Sequence, residues 1–168
     1  MSVVTYRAPY GVPGDITRPS QQTVEAQPFG AAAFSAYGLP AQLSTGTVVP
    51  ITGQNQVVYG FLVRPFPITS PNASDPLGTS VPPTNGPAGI LRRGYINVKV
   101  QLGGASCALG SSAYIRYQNA VAGQIVGGIE GASTGNTYQL TSTYSLGSGG
   151  FFTGPVDASG NAELAFSI

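Results

Sequence analysis

The stretch Tyr95-Ile96-Asn97-Val98-Lys99-Val100-Gln101-Leu102 gives the clearest secondary-structure signal in this chain of 168 residues. Apolar and polar side chains alternate along it, with the two-residue period of a β-strand that has one buried face. The face predicted to point into a core carries Ile96, Val98, Val100 and Leu102. The opposite face carries Tyr95, Asn97, Lys99 and Gln101. Gly103 and Gly104 follow and are expected to end the strand.

Shorter strand patterns lie on both sides of this stretch. They cover residues 47–51, 57–63, 113–117, 124–127, 137–141 and 162–168. Residues 57–63 form an unbroken apolar run, which is typical of a strand buried on both faces. Short strands separated by Gly, Asn and Ser, with no strong helical period, predict an all-β fold. We expect a small β-sandwich or barrel, jelly-roll-like.

The first 30 residues have a different character from the rest. Their four prolines disfavour both helix interiors and central strands, so residues 1–30 are predicted to be an extended arm, which can become ordered by lying on a neighbouring subunit. Residues 31–168 are then a single β domain. Within it, residues 31–37 could form one or two helical turns or an extended segment. Residues 65–89 contain seven prolines and are predicted to be a long surface loop.

Composition excludes most kinds of chemistry. The chain has no His, which removes the usual general base and commonest metal ligand, and Cys107 alone cannot form an internal disulfide or a thiolate metal site. The sequence Gly104-Ala105-Ser106-Cys107-Ala108 is one residue away from a nucleophile elbow, but no His could serve it. Cys107 is better explained as a small buried apolar residue. We therefore expect no enzyme activity, no cofactor and no metal.

Charge narrows the possible partners. Charged residues make up 8% of the chain and the net charge is +1, whereas nucleic-acid binding requires clustered Lys and Arg. The N-terminus shows no signal peptide, and no apolar run is long enough for a membrane span. Synthesis in the cytosol, with neither nucleic acid nor membrane as partner, is the expectation. So few charges also suggest that neighbouring proteins cover much of the surface.

Five segments, in the same order along the chain, resemble the capsid cement (decoration) proteins of tailed bacteriophages. They are residues 11–19, 36–40, 58–65, 90–100 and 152–168. The resemblance implies a β-protein added to the outside of the phage head that clamps adjacent major capsid subunits. The region from Thr69 to Gly89 looks longer than in that family, and residues 145–150 look like an additional glycine-rich turn.

The resemblance and the residue types together suggest contacts with the major capsid protein and with other copies of the chain, in a trimer rather than a dimer. Arginine and tyrosine are enriched at interfaces, which favours them as contact residues. The candidate contacts are Tyr6, Arg7, Tyr10, Asp15, Arg18, Arg64, Arg92 and Arg93. Two alternatives stay open at this point: a phage tail or head-fibre component, and a carbohydrate-binding β-module.

Overall fold

A computed structural model describes residues 11–65, 81–141 and 149–168. Within these ranges the chain forms a seven-stranded and a three-stranded antiparallel sheet, with short 3-10 turns at Pro19–Gln21 and Gly104–Ser106. This confirms the predicted all-β class and small sandwich. None of the helical segments in these ranges has the length and apolar character needed to span a membrane.

In the described strands, each proline is the first or the last residue, since its missing N–H would break the ladder inside a strand. The strands are β1 (Thr23–Pro28), β2 (Pro40–Ser44), β3 (Thr47–Pro50), β4 (Gly60–Leu62), β5 (Pro87–Lys99), β6 (Tyr114–Arg116), β7 (Ile129–Glu130), β8 (Thr137–Gln139), β9 (Gly150–Phe152) and β10 (Asn161–Phe166). The large sheet has the order β3-β2-β4-β5-β10-β9, with β1 also paired to β5, and the small sheet has the order β7-β6-β8.

The long strand β5 organises the large sheet. In its first half, Leu91 pairs with Val24 of β1 on one edge and with Phe61 of β4 on the other. In its second half, Ile96 pairs with Leu164 of β10 on one edge and with Ile16 on the other. Both halves therefore have a neighbour on each edge, and one of these neighbours always comes from residues 11–30.

A parallel bridge connects the end of β1 to β3. Phe29 pairs with Val48, and the Gly30 N–H donates to the Val48 carbonyl over 2.8 Å. The strand order β1-β5-β4-β2-β3 is thereby closed into a ring, which protects the outer edge of β3. The last two residues of the predicted arm thus complete the body of the protein.

Among the described residues, two apolar clusters fill the core. The larger joins the two sheets, since Ile115 and Ile129 of the small sheet pack with residues of β4, β5, β9 and β10. The second contains Phe34 and Tyr37 together with residues of β2, β3, β4 and β5. Strand β4 contributes to both, because Phe61 belongs to the first cluster and Leu62 to the second. This confirms that the run 57–63 contains a strand buried on both faces, although β4 itself is shorter than the run.

The structure differs from the sequence-based expectations in the N-terminal region. Residues 23–28 of the predicted arm form β1 on the chain's own β5, because β5 offers free backbone groups there and an edge strand needs few buried side chains. Gly14, with φ +93°, lets the arm lie against the body, since a Cβ there would come within 2.6 Å of the Tyr37 Cβ. Residues 31–37 form bends and turns rather than helical turns.

Three further differences concern loops and strand ends. Strand β5 begins at Pro87, so residues 87–89 of the predicted loop 65–89 are strand, while residues 66–80 lie outside the described part of the chain. The predicted strand at residues 124–127 is a turn, since Gly127 adopts φ +83° and Val126 is exposed. Leu102 is also exposed, because β5 ends at Lys99.

Candidate functional site

The described part of the chain shows no arrangement suited to catalysis. Ser106 lies in the 3-10 turn Gly104–Ser106, and Cys107 is buried, as predicted. Burial raises the pKa of the Cys107 thiol to about 11, which disfavours the reactive thiolate at neutral pH. Among the described residues, no group of His, Cys, Asp and Glu could hold a metal ion.

Of the eight candidate contact residues, the structure describes Asp15, Arg18, Arg64, Arg92 and Arg93, while Tyr6, Arg7 and Tyr10 lie outside the described residues. Four of the five described residues form ion pairs within the chain. Each of these pairs connects residues 11–30 to the rest of the protein. Their first role in the structure is therefore to hold the N-terminal region on its own body.

The most fully bonded pair joins Arg18 to Glu163 of β10. The guanidinium donates from Nη2 to Oε2 over 2.7 Å and from Nε to Oε1 over 3.2 Å, a bidentate arrangement. The Thr17 hydroxyl donates to Oε1 over 2.6 Å, and the Thr153 hydroxyl donates to Oε2. Arg18 also lies over the Tyr95 ring, with its Cζ 3.9 Å from the ring centroid.

Glu163 is expected to be ionised at neutral pH. Burial acts to raise the pKa of this carboxyl, but hydrogen bonds from Arg18, Thr153 and Thr17 outweigh burial and lower the pKa below its ordinary value of 4.5. Because the folded-state pKa is depressed, the stabilisation is present above about pH 4.5 and is lost as pH falls through the lower folded value.

We therefore expect the wild-type chain to melt at a higher temperature than Glu163→Gln near neutral pH, with the gap closing as the solution is acidified below pH 4.5. Thermal melts of both proteins between pH 7 and pH 3 measure this difference in melting temperature. Every other ionisable group is common to both proteins, so the difference between the two curves isolates Glu163. A gap that stays constant across this range would contradict the assignment.

The second pair joins Arg92 of β5 to Glu25 of β1. Arg92 Nη1 lies 3.3 Å from Glu25 Oε2, the same oxygen that accepts a hydrogen bond from the Tyr59 hydroxyl over 2.7 Å. The guanidinium lies on the Tyr59 ring, with its Cζ 3.4 Å from the centroid. Burial, followed by the hydrogen bond to Glu25, raises the pKa of Tyr59. Gln27 donates to the same hydroxyl and completes the cluster.

The third pair, Arg64 with Asp15, is looser, with 3.9 Å between Nε and Oδ1. Arg64 Nε also donates to the Pro13 carbonyl over 3.3 Å, and its backbone N–H donates to Gly14. Its guanidinium faces the Tyr37 ring at 5.0 Å. Arg64 thus holds the start of the described chain beside the segment that carries Tyr37.

Arg93 differs from the other four described candidates. Its side chain is exposed, and neither a side-chain hydrogen bond nor an ion pair links it to any residue in the ranges that the structure describes. It borders a hollow of about 390 Å³ that is lined mainly by polar residues: Ser20, Gln21, Gln22, Thr23 and Tyr95, together with Ile168. This is the one described candidate contact whose side chain is left available for a partner.

The acids and tyrosines that contact the arginines were not predicted from the sequence. Glu25, Glu163 and Tyr59 carried no motif, and Arg116 and Glu130, a fully buried pair at 2.5 Å, were not singled out. One feature of the sequence does indicate ion pairing within the chain: it has seven basic and six acidic residues, nearly equal numbers, and few charges in all.

The family of this protein follows from comparison with known proteins. Residues 1–166 match the model of the protein family described as XM1 gp53 minor capsid protein. The chain belongs to this family. As a member of the XM1 gp53 minor capsid protein family, it is a structural protein of the phage virion, which confirms the resemblance to capsid-associated phage proteins.

The solved structures agree with this family in fold. Three chains match, one of them from the capsid of Myoviridae phage XM1, with a TM-score of 0.60 and 15% sequence identity over 97% of this chain and 94% of that chain. Identity this low shows a shared fold. None of the curated proteins matches the chain.

Proposed function

We propose that this minor capsid protein binds the outside of the phage head and cements adjacent major capsid subunits. The supporting observation is the state of its surface. In the described residues, Asp15, Glu25, Glu130 and Glu163 each pair with an arginine of the same chain. The surface formed by the described residues therefore has few free charges, while nine of their large apolar side chains lie exposed. Such a surface suits broad contact with a neighbouring shell protein.

Cementing needs no chemical step. A protein that bridges a seam between capsomers makes contacts that exist only in the intact shell, so binding shifts the equilibrium towards that shell. Several copies at symmetry-related positions would each add such contacts. We propose synthesis in the host cytoplasm, a position on the outer surface of the virion, and association with the major capsid protein and with other copies of the chain, for which a trimer stays the prediction.

The family match to a minor capsid protein supports a position on the head rather than on the tail. The described residues offer no specific observation in favour of a fibre component or a carbohydrate-binding module.

Expanded heads that lack the protein provide the test. Purified protein is expected to saturate such heads at a fixed copy number and to raise the temperature at which they release their DNA. Cryo-electron microscopy of the saturated heads locates the copies on the outer or inner surface. Saturable binding without any gain in heat resistance would contradict cementing, and exclusive co-purification with tails would support the tail alternative.

A further inference from the structure

We propose that Arg93 is the residue through which the chain binds a carboxylate of the shell protein; this inference rests on the proposed function. The pairing of charges in the described residues leads to it. Of the five described arginines, four pair with an acid of the same chain: Arg18 with Glu163, Arg64 with Asp15, Arg92 with Glu25 and Arg116 with Glu130. Arg93 has none within the described ranges.

A local irregularity in the sheet sets the position of Arg93. Val24 pairs with Leu91 and Thr23 pairs with Arg93, so Arg92 is the extra residue of a β-bulge. A bulge of this kind changes the direction of neighbouring side chains. Arg92 is held by Glu25 and Tyr59, whereas Arg93 borders the polar hollow beside Thr23. Two adjacent arginines thereby serve different purposes, one inside the chain and one towards a partner.

The surroundings of Arg93 suit a single carboxylate. Gln21, Gln22 and Ser20 in the wall of the hollow offer amide and hydroxyl groups, and Arg18 beyond Tyr95 is already neutralised by Glu163. A guanidinium can bind a carboxylate through two parallel N–H···O bonds, a geometry that lysine lacks. A polyanion such as DNA is a poorer fit, because its binding requires clustered cations and Arg93 is isolated in this respect.

Head binding by the full chain tests the proposal. Arg93→Gln is expected to weaken binding by about tenfold or more and to remove most of its salt dependence, whereas Arg93→Lys should recover only part of the affinity. Lys99→Gln is the matched control, since Lys99 is also an exposed cation and its Nζ donates to the Ser159 carbonyl rather than to an acid. This control should bind within about twofold of wild type.

The partner group is tested separately on heads whose carboxylates have been blocked with a carbodiimide and glycinamide. Wild-type binding to blocked heads should fall to the level of Arg93→Gln, and Arg93→Gln should lose little more. Equal affinity of wild type and Arg93→Gln, unchanged binding to blocked heads, or competition by naked DNA would each overturn the carboxylate proposal. Failure of the wild-type chain to bind any heads would instead overturn the proposed function itself. Unchanged thermal unfolding of Arg93→Gln verifies that the variant is folded.

Discussion

Deletion of residues 1–30 is expected to abolish cooperative folding. The deletion removes β1 and the Ile16 bridge, which are the partners of β5 along one edge in each half of the strand. The backbone of Tyr95 and Asn97 also loses its hydrogen bonds to Thr17, Asp15 and Gly14. We expect a chain without a sharp thermal transition and without the near-ultraviolet circular dichroism of packed aromatic rings.

The three ion pairs make this deletion more severe. In each pair the member that would be lost is exposed, with 42–45% of its side chain accessible, whereas the member that remains is at most 10% accessible. The remaining groups are Glu163, Arg64 and Arg92. A buried charge that loses its ion-pair partner on residues 11–30 destabilises the fold, unless the structure opens to hydrate it. Both outcomes lead towards unfolding.

Deletion of residues 1–10 is the matched control. This shorter deletion keeps the strand pairing, hydrogen bonds and ion pairs of residues 11–30, so a cooperative transition within about 5 °C of the wild type is expected. The same variant separates folding from binding. It removes the candidate contacts Tyr6, Arg7 and Tyr10 but keeps residues 11–30, so a loss of head binding by this variant would not result from unfolding. A cooperative melt of the chain lacking residues 1–30, close to that of wild type, would show that the N-terminal region is dispensable for the fold.

The difference between the predicted and observed N-terminal region has a physical cause. Alternation revealed β5 because Ile96 and Val98 are buried, and an apolar run revealed β4 because both of its faces are covered. Strand β1 has mostly exposed or half-exposed side chains, so it leaves no apolar pattern to recognise. Its stability comes from backbone hydrogen bonds to β5, and these depend on residues about 65 positions away in the sequence.

Contacts between residues distant in sequence also explain where the candidate contact residues lie. Asn97 was expected to face outwards, yet it is fully buried because the segment from Gly14 to Thr17 pairs alongside it. The arginines were expected at subunit contacts on residue type alone, whereas their acidic partners are distant in sequence and could be found only from the fold. Arg93 is the described candidate that the structure leaves for this role.

Breaking the buried pair between Arg116 of β6 and Glu130 of β7 is expected to have the largest effect of any single substitution considered. Their side chains are 4% and 0% accessible, and Arg116 Nε lies 2.5 Å from Glu130 Oε1. Arg116 Nη1 also donates to the carbonyls of Gln118 and Asn119, so the pair fixes the turn after β6. Arg116→Met or Glu130→Leu leaves one buried charge unpaired, which costs about 3–5 kcal/mol.

The double variant Arg116→Met with Glu130→Leu distinguishes a buried charge from lost packing. Removing both charges also removes the desolvation penalty, so the double variant should be more stable than either single variant. Denaturant unfolding gives the four free energies of the cycle, and each single variant should melt about 10 °C below wild type. If the losses in free energy of unfolding of the two single variants simply add up in the double variant, the ion-pair explanation is contradicted. Ile115 and Ile129 are next to the pair in sequence and pack from the small sheet into the larger core cluster. A higher stability of the double variant than of either single variant would show that this apolar packing suffices to join the two sheets.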